Sequence, residues 1–311
     1  MTTAATRESF GKALLELGQQ NPDIVVVGGD LNVSTFAHLF AKEFPDRFFD
    51  LGPAEQNMMS IAAGLAASGK IPFVSTFAVF GTGRPYDQIR INIAQMKSNV
   101  KIVCTHAGLT TGEDGISAQS IEDIALMCAL PGFNVIVPSD GPETESVVKL
   151  AAETSGPFYI RLSRPATEVI HETPPKFLLG KAEELRSGSD LSIIACGVMV
   201  SASLMAATEL SKEGIEAAVI NMPTLQPLDE EAVLRASRTG AIVTAEEHYI
   251  HGGLGSLVSQ SAARQGPVPI EMVATTRYAE SGKPDELLAK YGLSSKDIVD
   301  ASKRVVERKA H

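Results

Sequence analysis

The chain has 311 residues, which exceeds a typical single domain and suits two domains or one large one. Hydrophobic residues make up 44% and charged residues 21%, the proportions of a globular protein with a substantial core. The net charge of −10 argues against nucleic acids and anionic membranes as partners, although a local basic cluster can still bind phosphate.

The three cysteines, Cys104, Cys128 and Cys196, are scattered among apolar residues. An odd count without close spacing indicates neither a zinc site nor a disulfide framework, so we expect buried thiols in a reducing compartment. The polar segment Met1–Arg7 has no apolar signal core, and no apolar stretch is long enough to span a membrane. We therefore expect a cytoplasmic chain with a natural beginning at Met1.

Short β-branched runs alternate with amphipathic stretches through the first half of the chain. The predicted strands are Ile24–Val27, Pro72–Thr76, Lys101–Thr105, Asn134–Pro138 and Phe158–Leu162. The predicted helices are Glu8–Leu17, Glu55–Ala67, Gln88–Met96, Ile121–Ala129 and Glu143–Thr154. This alternation is typical of βαβ units and predicts a doubly wound parallel sheet.

Prolines interrupt the pattern between Arg164 and Lys181, which predicts a linker between domains. The strands predicted beyond it are Leu191–Ala195, Ala217–Asn221, Gly240–Thr244 and Ile270–Val273. The helices predicted between them are Val200–Glu213, Glu230–Ser237 and Gly255–Gln265. The sequence therefore predicts two consecutive doubly wound α/β domains, residues 1–165 and 189–311, joined by a linker at 166–188.

Neither a P-loop nor a dinucleotide-binding fingerprint follows a predicted strand. The nearest candidate, Gly252–Ser256, lacks the G-x-G-x-x-G spacing and is interpreted as a tight turn into a helix. The fold alone therefore leaves the function open.

Glu55 stands at the start of a predicted helix that is otherwise apolar and rich in small residues. Small residues allow another backbone or a ligand to approach closely. An acidic residue at a helix N-terminus is commonly a dipole or capping contact. A carboxylate at the head of so apolar a segment also suits a proton-sharing role, and both interpretations stay open.

Phe77 and Phe80 follow a predicted strand, at the edge where α/β sheets bind ligands. Two aromatic rings there could clamp a flat heterocycle, or both could be core residues.

His106 directly follows the next predicted strand, and a glycine-rich loop after it carries Glu113 and Asp114. Loops of this composition at strand ends usually bind substrate, the alternative being a surface turn. Arg161 and Arg164 place cations at the same edge of the sheet.

Together these segments resemble transketolase over essentially the whole chain. Four motifs occur in the order of that family: Gly-Pro-Ala-Glu-Gln-Asn at 52–57, Ser-Thr-Phe-Ala-Val-Phe at 75–80, Gly-Glu-Asp-Gly at 112–115 and Ser-Arg-Pro at 163–165. The resemblance implies the pyrimidine-binding domain of a transketolase followed by its C-terminal domain.

The resemblance implies that the chain binds the pyrimidine part of thiamine diphosphate. Glu55 would hydrogen-bond N1′ of the aminopyrimidine and, by sharing a proton there, favour the tautomer that deprotonates the thiazolium C2. Phe77 and Phe80 would form the pyrimidine pocket. Asp30 and Leu31 would line the cofactor near the interface.

The resemblance also implies the substrate contacts. The predicted substrate residues are Arg7, Ser34, His106, Asp114 and Arg164. Two arginines, a histidine and a hydroxyl would hold the sugar phosphate, and Asp114 would bind the acceptor's C2 hydroxyl. His106 joins Glu55 as a predicted catalytic residue. Ala118 departs from the family, since many transketolases have there a histidine that contacts the donor's hydroxyls.

Family members bind the diphosphate and its metal through a Gly-Asp-Gly motif, and none occurs in this sequence. We therefore expect a separate N-terminal subunit with the diphosphate-binding domain, which would hold most of the Mg²⁺ or Ca²⁺ contacts. The active site would form between chains, in a heterotetramer of two of each. A fragment of a longer gene product is the alternative.

The implied reaction is the transfer of a two-carbon ketol unit from a ketose phosphate to an aldose phosphate, as in the pentose phosphate pathway. The alternatives are the C-terminal half of a deoxyxylulose-phosphate synthase, a 2-oxo-acid dehydrogenase beta subunit and a non-catalytic regulatory subunit. His106 and the Arg7/Arg164 pair favour sugar-phosphate transfer over the first two. Intact Glu55 and Asp114 argue against the last.

Glu246, Glu247, His248 and His251 cluster in the second predicted domain. They could form a metal site, but the family resemblance assigns that domain no cofactor role. Solvated loop residues or dimer contacts are therefore the favoured interpretation, and no metal ligand is predicted in this chain.

Overall fold

A computed structural model describes residues 2–309. The strands are β1 (Thr3–Ala5), β2 (Ile24–Gly28), β3 (Phe48–Asp50), β4 (Ile71–Phe77), β5 (Lys101–Thr105), β6 (Asn134–Ile136), β7 (Phe158–Arg161), β8 (Ala166–Glu168), β9 (Glu183–Arg186), β10 (Leu191–Ala195), β11 (Ala217–Asn221), β12 (Thr224–Gln226), β13 (Ile242–Tyr249) and β14 (Ile270–Thr275). The helices are α1 (Thr6–Gln20), α2 (His38–Glu43), α3 (Glu55–Ala67), α4 (Ala78–Gly83), α5 (Tyr86–Gln88), α6 (Asp123–Cys128), α7 (Gly141–Glu153), α8 (Met199–Lys212), α9 (Glu230–Ser237), α10 (Leu254–Gln265), α11 (Pro284–Lys290) and α12 (Ser295–Lys309).

The first sheet has seven strands in the order β12-β6-β7-β5-β4-β2-β3. All neighbours from β6 to β3 are parallel, so their carboxyl ends lie at one edge. Their apolar, β-branched residues are buried because helices cover both faces of the sheet. The five strands predicted in this half are confirmed.

The second sheet has the order β14-β13-β10-β11-β9 and is parallel except for β9. Its four predicted strands and three predicted helices are confirmed, with β13 longer than predicted. The predicted tight turn at Gly252–Ser256 does lead into α10.

Three features of the chain differ from the sequence prediction. Strand β12 belongs to the second half of the chain but pairs antiparallel with β6 of the first sheet. Strands β8 and β9 lie inside the predicted linker, where β8 pairs with β1. The predicted helix Gln88–Met96 is largely a π-helical segment at Ile89–Gln95. The domain boundaries themselves stay a prediction.

The thiols only partly match the expectation. Cys104 and Cys196 are buried, whereas Cys128 is half-buried. Burial raises the pKa of all three thiols, that of Cys128 to about 12, so they are unreactive at neutral pH.

Within residues 2–309, no helix is long and apolar enough to cross a membrane.

Candidate functional site

A groove of about 520 Å³ opens at the start of α3, beside the carboxyl ends of the first sheet's strands. Glu55, the first residue of α3, lines it but is only 4% exposed. The Arg84 guanidinium donates to the Glu55 carboxylate at 3.0 Å. The same guanidinium lies 4.2 Å from the ring centroid of Phe80. One flat cationic group therefore contacts both a buried carboxylate and an aromatic face.

Phe77 and Phe80 stack on each other, with centroids 5.9 Å apart and planes at 13°. A ring held between them would need about 7 Å, twice the contact distance of two carbon atoms. The two rings therefore form no open slot in this structure, although Phe80 contacts Arg84, which lines Glu55's groove. The His106 imidazole stacks on Phe77, with ring centroids 3.7 Å apart.

His106 lies directly after β5 in a left-handed backbone conformation, with φ of 57°. Such a conformation is strained for a residue with a side chain and is common at functional sites. Burial, with Arg7 and Arg164 nearby, lowers the His106 pKa to about 3. The imidazole is therefore neutral at physiological pH, and it acts as a hydrogen-bonding group rather than as a cation.

Two arginines meet beside His106. Arg7 donates to the backbone carbonyl of Arg164 at 2.9 Å and to that of Ser34 at 2.8 Å. Burial and the charge of Arg164 lower the pKa of Arg7. Two cations brought together in a half-buried place are stabilised when an anion binds between them. Ser34 accepts from Arg7 through its backbone carbonyl, so a role for its hydroxyl stays a prediction.

The glycine-rich loop after His106 contains a 3-10 segment, Leu109–Asp114. Glu113 and Asp114 are both exposed on it, and Glu113 pairs with Arg164 at 3.1 Å. Ala118 follows the loop and is buried. The segment that carries Asp114 thus also contacts Arg164, one of the predicted phosphate residues.

Asp30 and Leu31 follow β2 at the same edge of the sheet. Asp30 is exposed, with a left-handed φ of 65°, and its backbone N–H donates to Asp50 at 3.0 Å. The Asn32 amide donates to the other Asp50 oxygen at 2.6 Å. Asp50, at the end of β3, therefore fixes this turn, a role that the sequence did not indicate.

Arg161 was predicted as a cation at the sheet edge, and it does end β7 there, but it is buried and paired inside the protein. Its side chain is 6% exposed and forms an ion pair of 2.7 Å with the fully buried Asp123. Tyr159 also donates to Asp123, at 2.6 Å. Arg161 is consequently an internal structural group, because its charge is neutralised and enclosed.

Three of the four clustered residues of the second domain are not in a solvated loop, so that interpretation was wrong for them, whereas His251 is exposed after β13. Glu246, Glu247 and His248 lie in β13 and are 1%, 2% and 0% exposed. Glu246 accepts from the backbone N–H groups of Leu254 and Gly255, at the start of α10. Burial raises the pKa of Glu246, and that of Glu247 to about 7. Among residues 2–309, no group of acidic, histidine or cysteine side chains could hold a metal.

Comparison with known proteins matches both halves of the chain. Residues 2–169 match the transketolase pyrimidine-binding domain, and residues 180–298 match the transketolase C-terminal domain. A 6-deoxy-6-sulfo-D-fructose transketolase subunit of Clostridium sp. is 41% identical, over 97% of this chain and 95% of that protein. Mouse transketolase is 40% identical over 98% of this chain, which spans only 49% of the mouse protein.

The solved structures include a split-gene transketolase described as an inactive β4 tetramer. It is 47% identical, has a TM-score of 0.92, and matches over 98% of this chain and 99% of its own. Transketolase from Leishmania mexicana is 25% identical with a TM-score of 0.83, and the match covers 47% of that chain.

Proposed function

The chain belongs to the transketolase family, and from that premise we propose that it is the C-terminal subunit of a split transketolase. The reaction would be the transfer of a two-carbon ketol unit from a ketose phosphate to an aldose phosphate. The chain matches two subunit-type relatives over nearly their whole length, but only about half of the mouse enzyme. One of these relatives is described as an inactive β4 tetramer, which supports the need for a second kind of subunit.

The contact that carries the proposal is the one between Arg84, Glu55 and Phe80. An aminopyrimidine is, like a guanidinium, a flat group with N–H donors. The Arg84 guanidinium reaches the Glu55 carboxylate and the Phe80 ring at once, so a single flat group can make both contacts once Arg84 moves aside. The residues present therefore fit the pyrimidine part of thiamine diphosphate.

When bound, thiamine diphosphate supplies the nucleophilic carbon and the electron sink that cleavage of a carbon–carbon bond requires. Glu55 would hold a proton at N1′ of the aminopyrimidine, and its burial would strengthen that hydrogen bond. Phe80, with Phe77 behind it, would set the plane of the ring. Asp30 and Leu31 would border the cofactor, while the partner subunit would hold the diphosphate and its Mg²⁺ or Ca²⁺.

The two arginines would bind the phosphate of the sugar. Arg7 and Arg164 provide the charge, with Ser34 beside them. His106, being neutral, would orient the sugar through hydrogen bonds rather than neutralise its phosphate. Asp114 is exposed on the same loop and would accept from a hydroxyl of the acceptor.

A sulfonated ketose is a second candidate donor. The Clostridium relative is named for a 6-sulfo sugar, and a sulfonate, like a phosphate, is a tetrahedral oxyanion. A clamp of two arginines suits both anions, and a sulfonate carries one negative charge where a phosphate carries up to two.

The reaction class is tested by reconstituting the chain with a diphosphate-binding subunit. Transfer of a two-carbon unit is measured from a 6-phospho ketose, from a 6-sulfo ketose and from a 2-oxo acid that has no 3-hydroxyl group, which loses CO2 and has no ketol unit to give. We expect transfer from one or both ketoses and none from the 2-oxo acid. Turnover of the 2-oxo acid alone would replace the proposal by one of the related thiamine enzymes.

A further inference from the structure

Strand β13 belongs to the second sheet, yet its end touches the loop that follows His106. The Glu247 carboxylate accepts from the backbone N–H of Thr110 and, at 3.2 Å, from the Thr110 hydroxyl. All of these groups are buried. The buried carboxylate cannot be hydrated, so these hydrogen bonds are what satisfies it. Losing them would therefore lower the stability of the folded chain.

The loop is shaped around this carboxylate. Gly108 has a φ of 80°, and a Cβ built on it would lie 2.2 Å from the Glu247 carboxyl carbon. Only glycine provides both the backbone conformation and the space. Glu247 therefore packs directly against the backbone of the loop and bonds to it two residues later.

The far side of the loop is held by residues of the first domain. Thr111 donates to the backbone carbonyl of His106 at 2.6 Å, and Arg164 donates to that of Thr111 at 2.6 Å. The loop is thus fixed between the arginine clamp and Glu247. A shift at Thr110 would move Thr111 and, with it, these contacts to His106 and Arg164.

Glu247 itself is anchored. Arg161 donates to the backbone carbonyl of Glu247 at 2.9 Å and to that of Ser120 at 3.2 Å, while it pairs with Asp123. The buried pair ties the end of β13 to the first domain, so Glu247 has little freedom to follow a moving loop.

We propose that Glu247 is a positioning residue: from the C-terminal domain, it fixes through Thr110 the loop that carries Asp114 and contacts His106 and Arg164. This inference rests on the proposed function for its catalytic consequence. Its structural part, the anchoring of the loop, stands on this chain alone. The C-terminal domain thereby takes part in substrate binding without touching substrate.

The structural part is tested by hydrogen exchange of residues 107–115 in the purified chain. Glu247→Ala removes both acceptors, and we expect exchange of this segment to become at least about 10-fold faster. Glu247→Gln keeps one acceptor oxygen, so it should retain part of the protection from exchange. If the alanine variant does not fold, the comparison of the glutamine variant with wild type still tests the proposal. Glu246→Ala is the matched control: an equally buried carboxylate is lost, but the effect should appear at the start of α10.

The catalytic part uses the reconstituted enzyme. Glu247→Ala should raise the Michaelis constant for the sugar phosphate about 10-fold, with Glu247→Gln intermediate and thiamine diphosphate affinity unchanged. Unchanged exchange at 107–115, or faster exchange with unaltered sugar kinetics, would overturn the proposal. An inactive wild-type enzyme would refute the proposed function and hence the catalytic role, and the exchange data would still decide whether Glu247 anchors the loop.

Discussion

Glu55 is a buried carboxylate at the start of a helix that is otherwise uncharged, and it forms an ion pair with Arg84. The glutamate stood out in the sequence because a single charge led an apolar segment. Arg84 did not, since a lone arginine in a loop has no local signal of a partner 29 positions away. Sequence reasoning could therefore locate the carboxylate but not the contact that it makes.

Replacing Glu55 by Gln tests its role in the reaction. The amide keeps the shape of the side chain but shares a proton poorly, so we expect ketol transfer to fall by about 10²- to 10⁴-fold. The melting temperature should change little, because the partner Arg84 is half exposed. Activity within a few-fold of wild type in the reconstituted enzyme would remove Glu55 from catalysis.

Arg164→Ala tests the anion clamp. We expect the Michaelis constant to rise at least about 10-fold for phosphorylated sugars and much less for unphosphorylated ones, because only the former lose a charged partner. Arg304→Ala is the control, since this exposed arginine pairs with Glu271 on the second domain. An equal effect of Arg164→Ala on both kinds of sugar would contradict the clamp.

At the scale of elements, the buried strands of five or more residues and most long helices were predicted well, whereas the three-residue strands and the C-terminal helices were missed. Helix α3 was predicted with its observed bounds, and strands β5, β10 and β11 likewise. Strand β12 has three residues and pairs with β6, about 90 positions earlier. So short a segment has no periodicity, and its partner is set by the packing of the whole chain. Helices α11 and α12 were also not predicted, although α12 is amphipathic.

The shape of the loop after His106 gives a prediction at this scale. Gly108→Ala would combine backbone strain with a clash against Glu247, and we expect it to destabilise the chain by about 3 kcal/mol or more. Gly132→Ala is a matched control, because Gly132 has a φ of 83° but nothing within 4 Å of a built Cβ. It should cost only about 1 to 2 kcal/mol. The measurement is the free energy of unfolding in urea. An equal decrease for Gly108→Ala and Gly132→Ala would mean that Glu247 does not pack against the loop.

At the scale of the molecule, the two halves are joined by buried polar groups that the sequence did not reveal. Glu246, Glu247 and His248 resembled loop residues because they are polar, but β13 encloses them. Their partners lie partly in the first half, as Thr110 does for Glu247. A sequence shows which residues are polar, but not whether a distant donor will satisfy them.

His171 forms a second connection, in the predicted linker. Its two ring nitrogens lie 3.0 Å from Asp140, which caps α7, and 2.9 Å from Glu183 on β9. Although burial opposes the charged form, the two carboxylates raise the His171 pKa from 6.5 to about 9. The histidine is therefore protonated at neutral pH. It links Asp140, which precedes α7 beside the first sheet, to Glu183 on a strand of the second sheet.

This raised pKa predicts how stability changes with pH. The contribution of His171 is complete below pH 6.5 and is lost as the pH rises through about 9, because the folded state binds the proton more tightly. The shift corresponds to about 2 to 3 kcal/mol, allowing for solvent at the half-exposed Glu183. Urea unfolding of wild type and His171→Gln should show a difference that shrinks by this amount between pH 6 and 9.5. A difference independent of pH would refute the bridge.

The central claim is that this chain supplies one half of a shared transketolase active site. The direct measurement is ketol transfer, in the presence of thiamine diphosphate and Mg²⁺, as a diphosphate-binding subunit is titrated into the purified chain. We predict no transfer by either subunit alone, and activity that rises with added partner and saturates at one partner per chain. Robust transfer by this chain without a partner would contradict the claim.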